Sequence, residues 1–503
     1  MNELEQNLPK AQPERPSALR IFEISPRDRF AAAGTVLWCF LAVDTVLYAW
    51  PWGMGLAAAV FGWYVLLGTA VGRDIFRTWE SRVLLAANLL LAASFALNSN
   101  PYFRWWNFLA LLVLVPIHTM SLSTAARLPW QRPFMLWERL CLLFSGLFCY
   151  LGAVFAALAP KKEKRGEGHM AAAILGFFAA LGLVAFLLPI LSSADALFAG
   201  AARGLTDLLR IHLAQGVWEL FAAVILTPFL FGLLYSLTRP RERKSPEERT
   251  PEMDGVLFAM ILTALDLLYL LFLLVQSAGL FGGPEYLAQK GISYAEWARS
   301  GFFQMMGVAV LNLAAILASA VFSRKTGNVW KTVRLLAAVL TGESLVLLAS
   351  AAWRMTLYIS VYGLSFKRCM TYWGMAMTAL FLLAALEKVL RPGRSFCRRA
   401  FPLALAGWLA INCIPLDDLT AKNQVDRYLS GDSPSISLEY LLYDLSYNTL
   451  SQLDRVNPGL MCRTSHGFAP LEHALEERRQ DAREDCSDWR SWNLSACLAG
   501  AEK

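Results

Sequence analysis

Apolar runs of about twenty residues recur along this chain, and they constrain its fold more than any other feature. A helix of that length crosses a hydrocarbon core of about 30 Å. Hydrophobic residues make up 56% of the 503 positions and charged residues only 17%, whereas soluble domains carry about 25% charged residues. Because the bilayer offers backbone groups no water, runs of this kind form helices. The sequence therefore predicts an all-α, polytopic integral membrane helical bundle.

Hydropathy divides the chain into a leader at 1–29, a transmembrane domain at 30–415 and a polar tail at 416–503. The leader is too long and too polar for a cleaved signal peptide, so we expect the first helix to stay. The candidate apolar segments are 30–50, 53–72, 83–99, 104–122, 140–159, 170–191, 217–237, 256–280, 301–322, 335–352, 371–390 and 400–415.

The distribution of basic residues indicates how many of these segments cross the membrane. Segment 140–159 lies between Arg139 and a basic run at 161–165, and cytoplasmic loops carry an excess of Lys and Arg. We therefore expect 140–159 to be interfacial or re-entrant, which leaves eleven spans, a cytoplasmic N-terminus and an extracytoplasmic tail. A twelve-span protein with one basic loop on the opposite side is the alternative.

The tail reads as short amphipathic helices that form a cap rather than an independent enzyme domain. It contains Cys462, Cys486 and Cys497, for which one disulfide or free thiols are both open. The chain has no C-x-x-C pair and no two His at i, i+4 spacing, so the sequence supports no metal site.

Asp44, Asp266 and Glu343 each interrupt one of the apolar segments. An ionisable group at membrane depth is costly and is by default a functional-site hypothesis. One interpretation is a water-lined cavity or ion pathway built around these carboxylates. The other is that they pair or hydrogen-bond between helices, as polar groups in spans commonly do.

A polar stretch, "GISYAEWARS", precedes the segment at 301–322. Ser293 and Glu296 match the Ser-x-x-Glu capping box, in which each side chain bonds to the backbone N–H of the other residue. Trp297 stands at the second position of a hydrophobic staple, and Arg299 is within i, i+3 reach of Glu296. We interpret the stretch as a helix start.

Common catalytic signatures are missing. The chain has no Walker-type phosphate loop, no G-x-S-x-G and no H-E-x-x-H, and no nucleic-acid motif. The sequence therefore names no catalytic residue, cofactor or nucleic-acid partner. A membrane enzyme acting on a lipid-linked substrate through Asp195, Glu219 or the pair Asp417–Asp418 is the least favoured interpretation.

Five stretches carry a resemblance to a known family. They are "SSADALFAG" (192–200), "QSAGLFGGPEYL" (276–287), "SYAEWARSGFFQMMGVAVLN" (293–312), "RMTLYISVYGLS" (354–365) and "SLEYLLYDLSYNTL" (437–450). With them, the region 170–455 resembles the bacterial polytopic membrane proteins called domain of unknown function 4173, close to the 4153 group. The resemblance implies a multi-pass protein of a bacterial plasma membrane and transfers no activity.

On the eleven-span topology these stretches bring aromatic and basic residues to the outer side. The candidate residues of this outer vestibule are Tyr286, Tyr294, Trp297, Arg299, Arg354, Tyr358 and Tyr362. They are suited to an anionic or glycosylated envelope molecule, or to a partner membrane protein. Tyr and Trp are also enriched at both membrane interfaces without any ligand, so both interpretations stay open.

The sequence thus favours a multi-pass protein in contact with the lipid bilayer that binds or transports a small or envelope-derived ligand. The alternative is an envelope sensor or scaffold that works through a partner.

The topology is testable with reporter fusions. Alkaline phosphatase, which is active only outside the cytoplasm, should be active after Lys503 and inactive when inserted at Gly166. A fluorescent protein that folds only in the cytoplasm should show the reverse pattern. A cytoplasmic C-terminus would contradict the eleven-span topology.

Overall fold

The structure, a computed structural model, is almost entirely helical in the residues that it describes. These residues are 22–47, 50–72, 76, 78–126, 128–129, 135–159, 187, 213–239, 252–280, 294–464 and 467–501. In chain order the α-helices are α1 (Pro26–Leu47), α2 (Met54–Ala70), α3 (Trp79–Leu97), α4 (Pro101–Ser121), α5 (Met135–Cys149), α6 (Ala153–Leu158), α7 (Leu213–Thr238), α8 (Gly255–Leu280), α9 (Tyr294–Phe322), α10 (Gly327–Tyr362), α11 (Phe366–Leu390), α12 (Phe396–Asn412), α13 (Leu416–Leu429), α14 (Leu450–Leu453), α15 (Leu471–Ser487) and α16 (Leu494–Ala501).

Eight helices in the described part of the chain are long and apolar enough to span a membrane: α1, α3, α4, α7, α8, α9, α10 and α11. Helices α12 and α13, bent by 49° at a short break, add a ninth span if they cross as a pair. The predicted all-α polytopic bundle is confirmed. The predicted segment 170–191 contains a single described residue, Leu187, so it lies outside this comparison.

Segment 140–159 is broken in two by a turn at residues 150–152. Helix α5 has 15 residues and α6 has six, which correspond to lengths of about 22 Å and 9 Å. Each is shorter than a hydrocarbon core of about 30 Å. The interfacial or re-entrant placement of this segment stays a prediction.

The described residues group into two compact units. The first consists of the described residues of Met1–Phe40, Thr69–Val71 and Ser145–Ser236. Its core packs Ala31 and Ala32 of α1 with Ala153 and Val154 of α6 and with Phe231 and Tyr235 of α7. Small residues also bring α5 and α7 together, because a Cβ at Gly146 would lie 2.7 Å from Ser236 Oγ. Such close approaches are typical of packed membrane helices.

The second unit consists of the described residues of Leu41–Gly68, Gly72–Phe144 and Leu237–Lys503. One polar network links α2, α3 and α4 within it. His118 Nδ1 lies 3.0 Å from the Tyr64 hydroxyl and His118 Nε2 lies 2.9 Å from Ser81 Oγ. Asn88 donates to the same Tyr64 hydroxyl at 2.7 Å. These groups therefore hold spans together, which is the role of polar residues expected between membrane helices.

The tail folds into a cap with an apolar core, built around buried Leu441, Leu450, Leu453 and Leu471. The cap, residues 416–501, contains short helices as predicted and also a two-stranded antiparallel hairpin, Met461–Thr464 with Gly467–Pro470. Sequence reasoning missed the hairpin because its strands have only four residues each. A disulfide between Cys486 and Cys497 joins α15 to α16, and Cys462 is a buried free thiol.

Backbone hydrogen bonds dock the cap on the start of α2 and on Gly53, the residue before it. The N–H groups of Gly53 and Gly55 both donate to the Arg490 carbonyl, at 3.1 and 3.0 Å, and the Met54 N–H donates to the Trp492 carbonyl at 2.9 Å. A Cβ at Gly53 would lie 2.3 Å from the Ser491 carbonyl carbon. Glycine is therefore required there for the two chain segments to approach each other.

The cap also completes the carboxyl end of α10. Arg427 of α13 donates to the Ser360 and Val361 carbonyls at 2.9 and 2.8 Å, and Gln424 donates to the Leu364 carbonyl at 2.7 Å. The last four carbonyls of a helix have no intrahelical donor, and cations are favourable at that end of the helix dipole. These contacts bind the cap to the bundle through groups that a bare helix end would leave unpaired.

Substituting Gly53 by Ala should loosen the cap. The new methyl group collides with backbone atoms, which cannot rotate away, and overpacking of this kind costs about 1–3 kcal/mol. We expect faster limited proteolysis within residues 471–501 and a lower melting temperature in detergent. Gly342→Ala is the matched control, because nothing lies within 4 Å of its Cβ position in α10. Equal protease resistance of the two variants would contradict this account of the docking.

Candidate functional site

Two carboxyl groups meet inside the second unit, where α8 packs on α10. Asp266 is 7% exposed and Glu343 is 8% exposed, and the two groups interact electrostatically. Asp266 lies eleven residues from the start of α8 and Glu343 sixteen residues from the start of α10. Those offsets correspond to depths of about 16 and 24 Å along the helices. Both carboxyl groups are therefore far from the helix ends.

Part of the hydrogen-bonding capacity of this pair is unused. Neither side-chain oxygen of Asp266, nor Oε2 of Glu343, has a hydrogen-bond partner in the described structure. A buried polar group without a partner loses its hydration and regains nothing. In the network around His118 both ring nitrogens have partners, although Asn88 Oδ1 has none. The pair differs from that network because its unpaired oxygens belong to two acidic groups.

Helix α9 completes the surroundings of the pair. Asn312 Nδ2 donates to Ser344 Oγ at 2.9 Å, and Ser344 Oγ donates to the Leu340 carbonyl at 2.6 Å. The Tyr269 hydroxyl lies close enough to Asn312 and Glu343 to interact with both. We call this set, Asp266, Tyr269, Asn312, Glu343 and Ser344, the carboxylate cluster.

The sequence places Asp266 on this face through helical periodicity. Phe258 and Leu262 pack into an apolar core with residues of α10, and positions separated by three or four residues share one helix face. Asp266 follows Leu262 by four residues, and Tyr269 follows Asp266 by three. Sequence reasoning missed Tyr269 and Ser344, although Tyr269 could have been found from this spacing.

Asp44 lies in a different environment from the other two intramembrane carboxylates. Its Oδ1 accepts from Arg490 Nη1 at 2.8 Å, and Arg490 also pairs with Asp488 at 2.8 Å. Asp44 is one turn from the end of α1, so the pair joins that end to the cap. The hydrogen bond between Asp488 and Arg490 holds the pKa of the Asp488 carboxyl group below its usual value. The structure brings together Asp266 and Glu343, and it gives Asp44 a packing partner.

Three of the vestibule candidates lie on α10. Arg354, Tyr358 and Tyr362 follow one another at four-residue spacing on the last turns of α10. The rings of Tyr358 and Tyr362 are 4.7 Å apart, and the Arg368 guanidinium lies 4.5 Å above the Tyr358 ring. Arg354 is buried and Tyr362 is exposed. These three residues line one strip of the helix.

The remaining candidates concern the start of α9. The helix begins at Tyr294, while Tyr286 and Ser293 lie outside the described residues and the side chains of Tyr294, Glu296, Trp297 and Arg299 are not described. The capping box and the α9 part of the vestibule therefore stay predictions. A short connection joins α9 to α10, which makes the two helices antiparallel neighbours. The start of α9 and the end of α10 accordingly lie at the same end of the pair.

The carboxylates considered for an enzyme have structural contacts in the cap. Asp417 is buried and accepts from Asn100 Nδ2 at 2.7 and 2.8 Å and from the Ser446 N–H at 3.0 Å. Asp418 accepts from Gln452 at 3.0 Å. Glu219 is buried in α7, and Asp195 lies outside the described residues. In the part of the chain that the structure describes, no three His, Cys, Asp or Glu side chains are grouped to hold a metal ion.

The pair Asp44–Arg490 should stabilise the docked cap. The side chains are 19% and 26% exposed, and partly buried, charge-assisted bonds contribute about 1.5–3 kcal/mol less their desolvation cost. A double-mutant cycle with Asp44→Asn and Arg490→Gln, measured by thermal unfolding in detergent, should give a coupling of about 1 kcal/mol. High salt should reduce this coupling energy only slightly. Additive single effects would show that the pair contributes nothing.

A comparison with known protein families identifies the family of this chain. The model of the family described as domain of unknown function (DUF4153) matches residues 85–456, which include the whole carboxylate cluster. The more specific 4173 assignment is not confirmed, whereas the relation to the 4153 group is supported. No curated protein and no solved structure matches the chain. Since the match covers well over half of the chain, this multi-pass membrane protein belongs to the DUF4153 family.

Proposed function

We propose that this protein transports or binds a small ligand and that its carboxylate cluster holds a proton or a small cation within the membrane. The observation that carries the proposal is the pair Asp266 and Glu343, buried at mid-helix with unused oxygens. An ionisable residue at membrane depth is costly and is by default a functional-site hypothesis, because such residues occur along ion and proton pathways.

Electrostatics supports a single positive charge at this site. Two carboxylates close together in an apolar environment repel each other, and one bound cation or proton removes that repulsion. The neighbouring Tyr269, Asn312 and Ser344 provide further oxygen atoms. Oxygen ligands suit protons and hard cations rather than soft metals. The chemistry of the cluster therefore favours a proton or a hard cation.

We place the entry of the ligand at the vestibule, at one end of the bundle. Arg354 lies eleven residues beyond Glu343 on the same helix, which is about 16 Å along its axis. Arg354, Tyr358 and Tyr362, together with Tyr286, Tyr294, Trp297 and Arg299, would receive an anionic or glycosylated envelope molecule before it approached the cluster. The contacts of Tyr358 with Tyr362 and Arg368 support an ordered aromatic and basic surface.

The orientation of the protein is part of the proposal. We place it in a bacterial plasma membrane with its N-terminus inside and its cap outside. The disulfide Cys486–Cys497 supports an oxidising compartment for the cap. The cap-distal loop between α11 and α12 carries Arg391 and Arg394 and is followed by Arg398 and Arg399 in the first turn of α12, which the positive-inside bias places in the cytoplasm.

An envelope sensor or scaffold is the second candidate, and the cap is the observation that favours it. The cap binds the start of α2 and the end of α10, and it exposes Met461, Phe468 and Trp489. A signal received at such a surface would reach two helix ends directly. This candidate needs no bound cation, so the two functions are separable by experiment.

The cation site is testable by carbodiimide labelling. Dicyclohexylcarbodiimide modifies protonated carboxyl groups in apolar surroundings, and mass spectrometry identifies the modified residue. In the purified full chain we expect modification at Asp266 or Glu343 that falls as pH rises and as Na⁺ or K⁺ is added. Asp266→Asn should remove the cation protection of Glu343. Asp254→Asn is the matched control, because Asp254 caps the same helix by accepting from the Val256 N–H.

The outcomes separate the candidates. Modification that ignores both pH and added cations, or that occurs at neither carboxyl group in the folded protein, would remove the cation site. In that case, loss of function from cap variants with no effect of Asp266→Asn would favour the sensor or scaffold.

A further inference from the structure

A deep apolar groove of about 560 Å³ runs between α3 and α12. Its walls are formed by side chains of both helices, among them Leu84, Leu90, Phe401, Leu405 and Leu409. Volumes of about 300–1,000 Å³ are typical of pockets that hold small molecules. The groove lies within the second unit and shares no residue with the carboxylate cluster.

The length of the groove matches one leaflet of a bilayer. Its lining extends from Trp79 to Leu90 on α3 and from Cys397 to Leu409 on α12, which corresponds to about 16–18 Å along each helix. Half of a hydrocarbon core is about 15 Å. The lining includes Trp79 and Glu80 in the first turn of α3 and Cys397 and Arg398 in the first turn of α12. We call this end of the groove the mouth and place it at the membrane interface. Trp79, 70% exposed, stands at the mouth, where indole rings are favoured.

The mouth carries one basic and one acidic side chain. Arg398 and Glu80 both line the groove, and both are exposed. The neighbouring Arg391, Arg394 and Arg399 are paired with Glu387. Among the residues that the structure describes, neither Arg398 nor Glu80 has an ion-pair partner. The groove thus ends in a separate cation and a separate anion.

Pro402 adds a hydrogen-bond acceptor at the same end. It lies inside α12 and lines the groove. Because proline has no N–H, the Arg398 carbonyl, four residues earlier, loses its usual donor. A donor group bound at the mouth could use that oxygen.

We infer that this groove is a binding site for a zwitterionic phospholipid with a primary ammonium group, of the phosphatidylethanolamine class. One acyl chain lies in the groove, the Arg398 guanidinium binds the phosphate, and the Glu80 carboxylate and the Arg398 carbonyl accept from the ammonium. Guanidinium groups are well suited to phosphate recognition. The starts of α3 and α12 also favour a phosphate, since helix amino ends carry partial positive charge. A lipid with an anionic head group would leave Glu80 facing like charge.

Photocrosslinking in nanodiscs tests the site. The full chain is placed in phosphatidylcholine nanodiscs with a small fraction of phosphatidylethanolamine that carries a diazirine on one acyl chain. Mass spectrometry then maps the labelled peptides. We expect labelling within residues 79–90 and 397–409, and about tenfold less labelling for Arg398→Gln or Glu80→Gln, because each removes a charge-assisted hydrogen bond. Ala406→Phe, which fills the groove at an exposed lining position, should also abolish labelling.

Arg394→Gln is the matched control, because Arg394 pairs with Glu387 and does not line the groove. Its labelling should equal that of the wild type. Equal labelling of the same peptides by a phosphatidylcholine probe, unaffected by the mouth variants, would show an unspecific boundary lipid only and overturn the inference. Equal or stronger labelling by a phosphatidylglycerol probe would overturn the assignment of an ammonium head group.

Discussion

A polar group in the hydrocarbon core can bond only to protein or to water that the protein admits, and the rest of this structure depends on that constraint. The backbone satisfies it by forming helices. Most polar side chains of the spans satisfy it by pairing, as His118 does with Tyr64 and Ser81. Asp266 and Glu343 are different, since they are buried and leave oxygens unpaired. Asn88 Oδ1 and Arg104 Nε are also buried without a hydrogen-bond partner, but Asp266 and Glu343 are two acidic groups that interact at mid-helix. A bound cation or proton would relieve their mutual repulsion.

The unpaired backbone groups at helix ends are a second constraint, and the cap supplies hydrogen-bond partners for some of them. The end of α10 would present unpaired carbonyls at the membrane surface. Arg427 and Gln424 donate to that region, and Arg368 donates to the Tyr362 carbonyl at 2.9 Å. Asp417 likewise accepts from Asn100 at the start of α4. The cap therefore stabilises the ends of spans whose middles carry the carboxylate cluster.

The sequence allowed the fold class to be predicted because hydropathy reports burial in lipid directly. The intramembrane carboxylates could also be found, since charge is rare in such segments. The residues with which these carboxylates interact could not be predicted. Asp44 and Arg490 are separated by 446 positions, and Asp266 and Glu343 come from different helices. Neither hydropathy nor helical spacing relates residues so far apart, so the sequence grouped Asp44 with Asp266 when its partner lies in the cap.

The residues that the family model matches include the carboxylate cluster but exclude some of the contacts that stabilise the cap. Residues 85–456 include Asp266, Tyr269, Asn312, Glu343 and Ser344, and they include Asp417 and Arg427 of the cap. They exclude both Asp44 and Arg490, and with them the disulfide-linked helices α15 and α16. An activity that belongs to the family domain must therefore be sought within 85–456, where the carboxylate cluster combines burial, like charge and unpaired oxygens. The ion pair between Asp44 and Arg490 lies outside that domain and stabilises the docked cap. Its loss should therefore lower the stability of the folded chain before it affects any chemistry at the carboxylate cluster.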